Sequence, residues 1–270
     1  MKARDFQSRL SKAISEDLAV LQDSNKDWVV KGFIDIYKNI YTISIDTKVV
    51  SKVIELMLFP TVLKFAKANA LKMILAEHQN HYPDITFVDE ADNTAFALDI
   101  KSTYRTDKNK VNGFTLGAFT GYFRNRASTK NITLPYNAYQ CHFVLGIIYS
   151  QKTAEIDEKK IYSVNDLENI VSVIADFDFL IQEKYRIAAQ RPGSGNTKNI
   201  GSITDIPKLK KGQGAFATLG VDIFDDYWMF YQTKDMAEDG IVAYSNLAEY
   251  AQYKQKSPNA RLIGSLGDEE

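Results

Sequence analysis

The stretch Pro83-Asp84-Ile85-Thr86-Phe87-Val88-Asp89-Glu90-Ala91-Asp92-Asn93-Thr94-Ala95-Phe96-Ala97-Leu98-Asp99-Ile100-Lys101 decides the fold class. Ile85 to Val88 is an apolar, largely β-branched run. Glu90-Ala91-Asp92-Asn93 has turn composition, and Thr94 to Ile100 alternates small, apolar and polar residues, which together spell a hairpin. A turn centred between Ala91 and Asp92 sets Asp84 directly across from Asp99, where facing Cβ atoms stand roughly 4.5–5.5 Å apart. The period of two along a strand puts Lys101 on the same face as Asp99. Two carboxylates that close repel unless a cation lies between them. This is what a hard divalent metal site requires, with a lysine poised beside it. A surface hairpin carrying charges on its solvent face is the alternative that these residues alone leave open.

Outward from the hairpin the chain reads as α/β. Phe6 to Leu21 has helical spacing, and Asp46 is placed to cap a helix from Thr47 to about Phe59, ended by Pro60. Val49, Val50, Val53, Ile54 and Met57 form its apolar stripe, with Glu55 on the flank beside Lys48 and Lys52. A second helix is expected through Phe65 and Leu71. Beyond the hairpin come a helix near Leu116 to Arg126, a buried strand from Cys141 to Tyr149, short extended segments at Phe177 to Ile181 and Arg186 to Ala189, and an aromatic helix over Asp222 to Lys234. The 270 residues are read as a single domain in three stretches, 1–45 with an N-terminal helix, 46–203 and 204–270. Cys141 is the only cysteine and lies in an apolar run, so it reads as core in a reducing compartment. No run reaches membrane-spanning length and no signal-peptide core opens the chain, which places the protein in the cytoplasm with no membrane partner.

The net charge of −1 is unusual for a protein that handles nucleic acid, but its distribution is uneven. Lys101 to Lys130 and Lys184 to Lys211 each hold seven basic residues against one acidic residue, Asp107 and Asp205 respectively, on an otherwise acidic body. Two such segments can line a positive cleft. The second contains Gly193-Ser194-Gly195-Asn196-Thr197-Lys198-Asn199. Gly193 and Gly195 let a backbone approach closely, Asn196 can bond adenine N6 and N7 together, and Thr197 offers a methyl to thymine. No Gly-Lys-Ser/Thr triplet follows a four-residue gap, so the block is not a P-loop.

Gln79-Asn80-His81-Tyr82-Pro83-Asp84, Leu98-Asp99-Ile100-Lys101-Ser102-Thr103-Tyr104, Phe114-Thr115-Leu116-Gly117, Asp46-Thr47-Lys48-Val49 and the block from Gly193 through Ile203 together resemble the EcoRV type of type II restriction endonuclease, in order and at near-family spacing. The resemblance runs from about Asp46 to Ile203. It departs from the family pattern at Lys198, where a threonine is expected, and at His78, where a glutamine is expected. It implies a restriction-endonuclease-like mixed β-sheet core flanked by helices, in a U-shaped homodimer around double-stranded DNA, with 1–45 serving dimerisation, 46–203 catalysis and recognition, and 204–270 contacts to flanking DNA. It implies a catalytic set of Asp84, Asp99, Lys101 and Glu55, with Mg²⁺ held by Asp84, Asp99 and Glu55. Mn²⁺ would substitute, and Ca²⁺ would bind without efficient cleavage. His81 is left as a structural or DNA-loop residue, since imidazole suits magnesium poorly. DNA contacts are expected from Gly193, Ser194, Gly195, Asn196, Thr197, Lys198 and Asn199, from Gln79 and Asn80 in a minor-groove loop, and from Ser102, Thr103, Thr47, Lys48 and Lys130. The implied reaction is a blunt cut at the centre of GATATC leaving 5′-phosphate ends, in a bacterial host whose companion methyltransferase acts on the same site. A repair or nicking nuclease of the same superfamily and a catalytically silent DNA-binding module are the rival readings.

Overall fold

The computed structural model describes residues 1–78, 80–152, 157, 159–193, 198–237 and 240–255. The chain opens with α1 (Ala3–Glu16), whose Phe6, Leu10 and Ile14 are buried at a spacing of four. Strands β1 (Gly32–Ile34) and β2 (Asn39–Thr42) follow. Asp46 caps α2 (Thr47–Ala68), accepting from the amides of Lys48 and Val49 as expected. The helix does not stop at Pro60 and there is no second helix before Leu71. Proline deletes one backbone hydrogen bond, but Pro60 faces solvent, while Val50, Ile54, Leu58, Val62 and Phe65 carry a buried stripe straight through it. Tertiary burial outweighs the local defect.

The hairpin is β4 (Ile85–Asp89) and β5 (Ala95–Asp107), preceded by β3 (Leu71–Leu75) on the edge. Its register pairs Ile85 with Leu98 and Val88 with Ala95, which extends to Asp84 opposite Asp99. β5 continues past the hairpin, where β6 (Lys110–Val111) joins it. Residues 116–126 are not helical. Leu116, Phe119 and Phe123 have helix-like spacing and are all fully buried, but Thr115–Ala118 forms strand β7, followed by a single 3₁₀ turn at Gly121–Phe123. The short strand pairs with β12 (Asn199–Ser202), and that long-range partner is invisible to local periodicity.

β8 (Tyr139–Gln151) runs parallel to β5 from Ala95 to Tyr104, and β10 (Ile174–Glu183) adds antiparallel to β8. The central sheet therefore has the order β10-β8-β5-β4-β3 and is mixed, as the family resemblance implies. Two smaller sheets lie beside it: β1-β2-β9, where β9 is Ile161–Ser163, and β11-β12-β7, where β11 is Ala188–Pro192. The turn α3 (Lys184–Ile187) leads from β10 into β11. α4 (Ile206–Lys211), α5 (Gly220–Phe230) and α6 (Leu247–Gln255) complete the chain, and α5 buries Ile223, Phe224, Tyr227 and Trp228.

Strand periodicity divides the core. Phe96 and Leu98 of β5 and Phe143, Leu145 and Ile147 of β8 face α1 and α2. Ala95, Ala97, Val144 and Ile148 face the opposite way, toward Tyr82, Tyr136, Tyr139 and α5. Asp99 and Lys101 share parity with Ala95 and Ala97, so they emerge on this second face. Among the described residues, no helix is long and apolar enough to cross a membrane.

Candidate active site and nucleic-acid cleft

Asp84 stands at the mouth of β4, where it leaves the hairpin pairing. The Ile100 amide donates to its Oδ2 at 2.7 Å, which fixes the carboxylate across from β5. Lys101 Nζ lies 2.9 Å from Asp99 Oδ2 and 3.4 Å from Asp84 Oδ2. The strand arithmetic is thus realised in space: two carboxylates meet one ammonium. Burial, then the nearby Asp99 charge, push Asp84 up to about 6. Burial pulls Lys101 down, but the Asp99 and Asp84 carboxylates more than offset it, so its pKa lies above the ordinary lysine value. Asp99 is 3% exposed, and its Oδ2 has the ion pair with Lys101 but no hydrogen-bond donor in line. A buried, incompletely satisfied carboxylate oxygen beside a second, strained carboxylate fits a hard divalent cation.

Helix α2 supplies the facing wall. Thr47, Ser51 and Glu55 recur every four residues along one side and line, with Asp84, Lys101 and Ser102, a cleft of about 1020 Å³. Ser51 Oγ lies 2.7 Å from Ser102 Oγ, tying the helix to the strand beside Lys101. Glu55 is within this cleft, but its Oε1 is ion-paired to Lys52 Nζ at 2.7 Å. Among the described residues, no three His, Cys, Asp or Glu side chains converge as a cation cage. Asp84 and Asp99 therefore form a two-carboxylate site, and Glu55 stands near it with Lys52 as its present partner.

The residues expected to meet DNA are distributed unevenly. Gln79, Ser194, Gly195, Asn196 and Thr197 lie outside the described residues. Gly193, Lys198 and Asn199 mark the base of the glycine-rich block: the Gly193 amide donates to the Asn199 carbonyl at 3.1 Å. A Cβ on Gly201 would sit 2.7 Å from Gly193 Cα, so glycine there permits two backbones to touch. Asn80, Lys48 and Lys130 are exposed, and Asn131, next to Lys130, accepts from the Tyr82 amide at 3.0 Å. Thr47 and Ser102 line the cleft, whereas Thr103, also a cleft residue, is 4% exposed. The two basic segments are not free of partners throughout. Arg126 pairs with Asp225 and stacks over Tyr136, Arg105 and Lys210 share Asp178, and Lys184 is buried. Composition counted these charges correctly, but only the fold shows that several are paired within the protein and that Lys184 is buried.

Sequence reasoning passed over the support behind the carboxylates. Tyr82, Tyr122, Tyr136 and His142 stack on one another, with Tyr136 and His142 rings 3.9 Å apart. Tyr82 hydroxyl hydrogen-bonds His142 Nδ1 at 2.9 Å. Burial, then the Lys184 charge, hold His142 well below its ordinary pKa, so it is neutral. The available signal was Tyr82, two residues before Asp84. Cys141 is buried as expected, and burial followed by Glu183 raises its thiol pKa, which leaves it inert.

A Pro-Asp corner, an Asp-x-Lys strand and a mixed sheet with helices on its flank define a class, the phosphodiester-cleaving nucleases built on this carboxylate–lysine arrangement. The family described as restriction endonuclease EcoRV matches residues 24–255. The type II restriction enzyme EcoRV of Escherichia coli is 35% identical over 239 residues, covering 87% of this chain and 95% of that enzyme. The chain belongs to the EcoRV family of type II restriction endonucleases, and it is a site-specific deoxyribonuclease.

Proposed function

We propose that this enzyme hydrolyses both strands of a palindromic DNA duplex with Mg²⁺, cutting bluntly at the centre of GATATC and leaving 5′-phosphate ends. The meeting of Asp84, Asp99 and Lys101 is the observation that carries the reading. Asp84 and Asp99 would hold the cation, with Glu55 available to support a second one on release from Lys52. When bound there, a divalent cation supplies Lewis-acid polarisation of the phosphate and activation of the attacking water. Lys101, kept charged by its two carboxylates, stands where negative charge grows on the phosphate. The Ile100 amide holds Asp84 in place, and Ser51 with Ser102 keeps the α2 wall at a fixed distance. The block from Gly193 to Asn199, with Gln79 and Asn80, reads the base edges, and Thr47, Lys48, Ser102, Thr103 and Lys130 contact or border the backbone. GATATC is the site that the sequence resemblance implies, and its central TA step is easily kinked.

The enzyme would act as a homodimer, one site per strand. Phe33, Tyr41 and Ile161 support this: register places them in one row across β1-β2-β9, and they are 51%, 45% and 56% exposed. An exposed apolar row of this kind is a contact surface. The interface would then draw on residues near 161 as well as on 1–45. Tyr41→Glu should shift sedimentation toward monomer and impair double-strand cutting. A companion methyltransferase would protect the same site in the bacterial cytoplasm without a stable complex.

The test is incubation with plasmid DNA and Mg²⁺, Mn²⁺ or Ca²⁺, followed by mapping of the ends. Blunt ends within GATATC in Mg²⁺ and Mn²⁺, with binding but little cutting in Ca²⁺, are expected. Cutting at scattered positions would defeat the reading.

A further inference from the structure

Lys184 takes no part in the proposed chemistry. It opens α3 and is 2% exposed. Burying an ammonium is costly unless something stabilises it. Among the described residues it joins no ion pair. Its Nζ stands instead 4.0 Å from the centre of the Tyr82 ring and 6.0 Å from that of Tyr136. A cation over a phenol face is held by the ring quadrupole, more strongly when both are desolvated. Burial draws Lys184 down to about 8, and Asp99 is the first of the charges that pull it back up. The ammonium therefore lies within reach of the field of the catalytic carboxylates while remaining behind them.

The ring it caps is the anchor of the Asp84 corner. Tyr82 donates its amide to Asn131, accepts from the Thr133 amide at 2.9 Å and stacks on Tyr122 at 5.1 Å. Only Pro83 separates it from Asp84. We propose that Lys184 is a positioning residue of the catalytic centre: by clamping the Tyr82 ring from behind, it fixes the corner that aims Asp84 at the cation. Lys184 does not touch the cation or the DNA. The inference rests on the reading of Asp84 and Asp99 as the cation-holding pair.

The test uses Mn²⁺ alone, titrated into the DNA-free protein and followed by the loss of the free-ion electron paramagnetic resonance signal. Lys184→Met keeps the length and removes the charge. It should weaken Mn²⁺ binding five- to tenfold while the circular dichroism spectrum stays native. Lys184→Arg keeps the cation–ring contact, and a cavity of about 240 Å³ lined by Lys184, Arg126 and His142 gives the larger guanidinium room. It should bind Mn²⁺ within twofold of wild type. Tyr82→Leu should match Lys184→Met, and the double variant should be no worse than the weaker single one, because both remove one clamp. Unchanged or tighter binding in folded Lys184→Met overturns the proposal, since loss of a nearby positive charge without loss of position would tighten it. Independent, multiplying losses in the double variant overturn it as well. If Lys184→Met does not fold, the other two variants decide: a weakened Tyr82→Leu with an intact Lys184→Arg supports the clamp, and wild-type binding by Tyr82→Leu removes it. Asp84→Ala is the control for the site itself. Wild-type Mn²⁺ binding there would show the cation site to be wrong and would take the proposal with it.

Discussion

Around the strand pair that carries Asp84 and Asp99, the aromatic clusters on the two faces of the central sheet differ in chemistry. Toward α1 and α2 lie Phe6, Phe65, Phe87, Phe96 and Phe143, with Phe6 stacked at 4.6 Å on Phe96 and at 5.2 Å on Phe143. These five rings have no polar atom to satisfy and serve only to exclude water. Toward α5 lie Tyr82, Tyr122, Tyr136, Tyr139 and His142, among which Lys184 and, further out, Asp99 and Lys101 are embedded. Phenols and imidazole offer both π faces and hydrogen-bonding edges, so they can accept a buried ammonium and still fill a core. Charge can be buried behind the Asp84 corner because the packing there is phenolic. On the phenyl face the same charges would be left without partners.

The largest effects should fall on the phenolic face and in chemistry, not in folding. Asp84→Ala and Asp99→Ala are expected to abolish plasmid cleavage. Lys101→Ala should lower single-turnover cleavage by about 10²–10³ while Ca²⁺-dependent DNA binding persists. Wild-type rates in all three would dissolve the distinction between the faces.

Phe6→Ala tests the other side. A buried phenylalanine reduced to alanine costs about 3–5 kcal/mol, read as a lower urea midpoint. Cleavage per folded molecule should remain near wild type, because Phe6 touches only the phenyl face. A lowered rate at full folding would show that the faces are mechanically coupled.

Tyr139→Phe probes whether the hydroxyls matter to stability. Tyr139 hydroxyl lies 2.7 Å from Thr86 Oγ1, which is fully buried, and accepts from the Leu134 amide at 3.2 Å. Removing it leaves Thr86 unpaired, at a cost of about 1–3 kcal/mol. A neutral result in urea denaturation would mean that phenyl and phenol are interchangeable here.

The smallest effect has an unusual sign. Asp84 has a folded pKa of about 6, above its ordinary 3.8. In that interval the folded state binds more protons than the unfolded state, so metal-free stability falls as pH rises from about 4 through 6. Asp84→Asn should therefore raise the Tm of the metal-free protein at neutral pH by a few degrees, abolish cleavage, and flatten the dependence of Tm on pH between 4 and 7. A Tm lowered at pH 7, or an unflattened profile, would show that burial of this carboxylate carries no strain.

The meeting of Asp84, Asp99 and Lys101 was legible in the sequence because strand period and turn length are local quantities. Once Ala91 and Asp92 make the turn, Asp84 must oppose Asp99 and Lys101 must share its face. The Asp46 cap and the Cys141 strand were legible for the same reason: a side chain bonding amides two and three residues on, and an apolar run flanked by polar residues, need no distant partner. What tertiary structure decided was everything set by distant partners. Pro60 sits within α2 because its exposed side leaves the buried stripe intact. Leu116, Phe119 and Phe123 belong to a strand and a turn because β12 supplies hydrogen bonds from more than eighty residues away in sequence. Arg126 and Lys184, counted among cleft cations by composition, are withdrawn by Asp225 and by the rings of Tyr82 and Tyr136. The sequence by itself determined which charges this protein has and which two carboxylates meet. Only the tertiary structure decided which charges stay exposed and which are paired or buried, because desolvation and ring contacts exist only once distant segments pack.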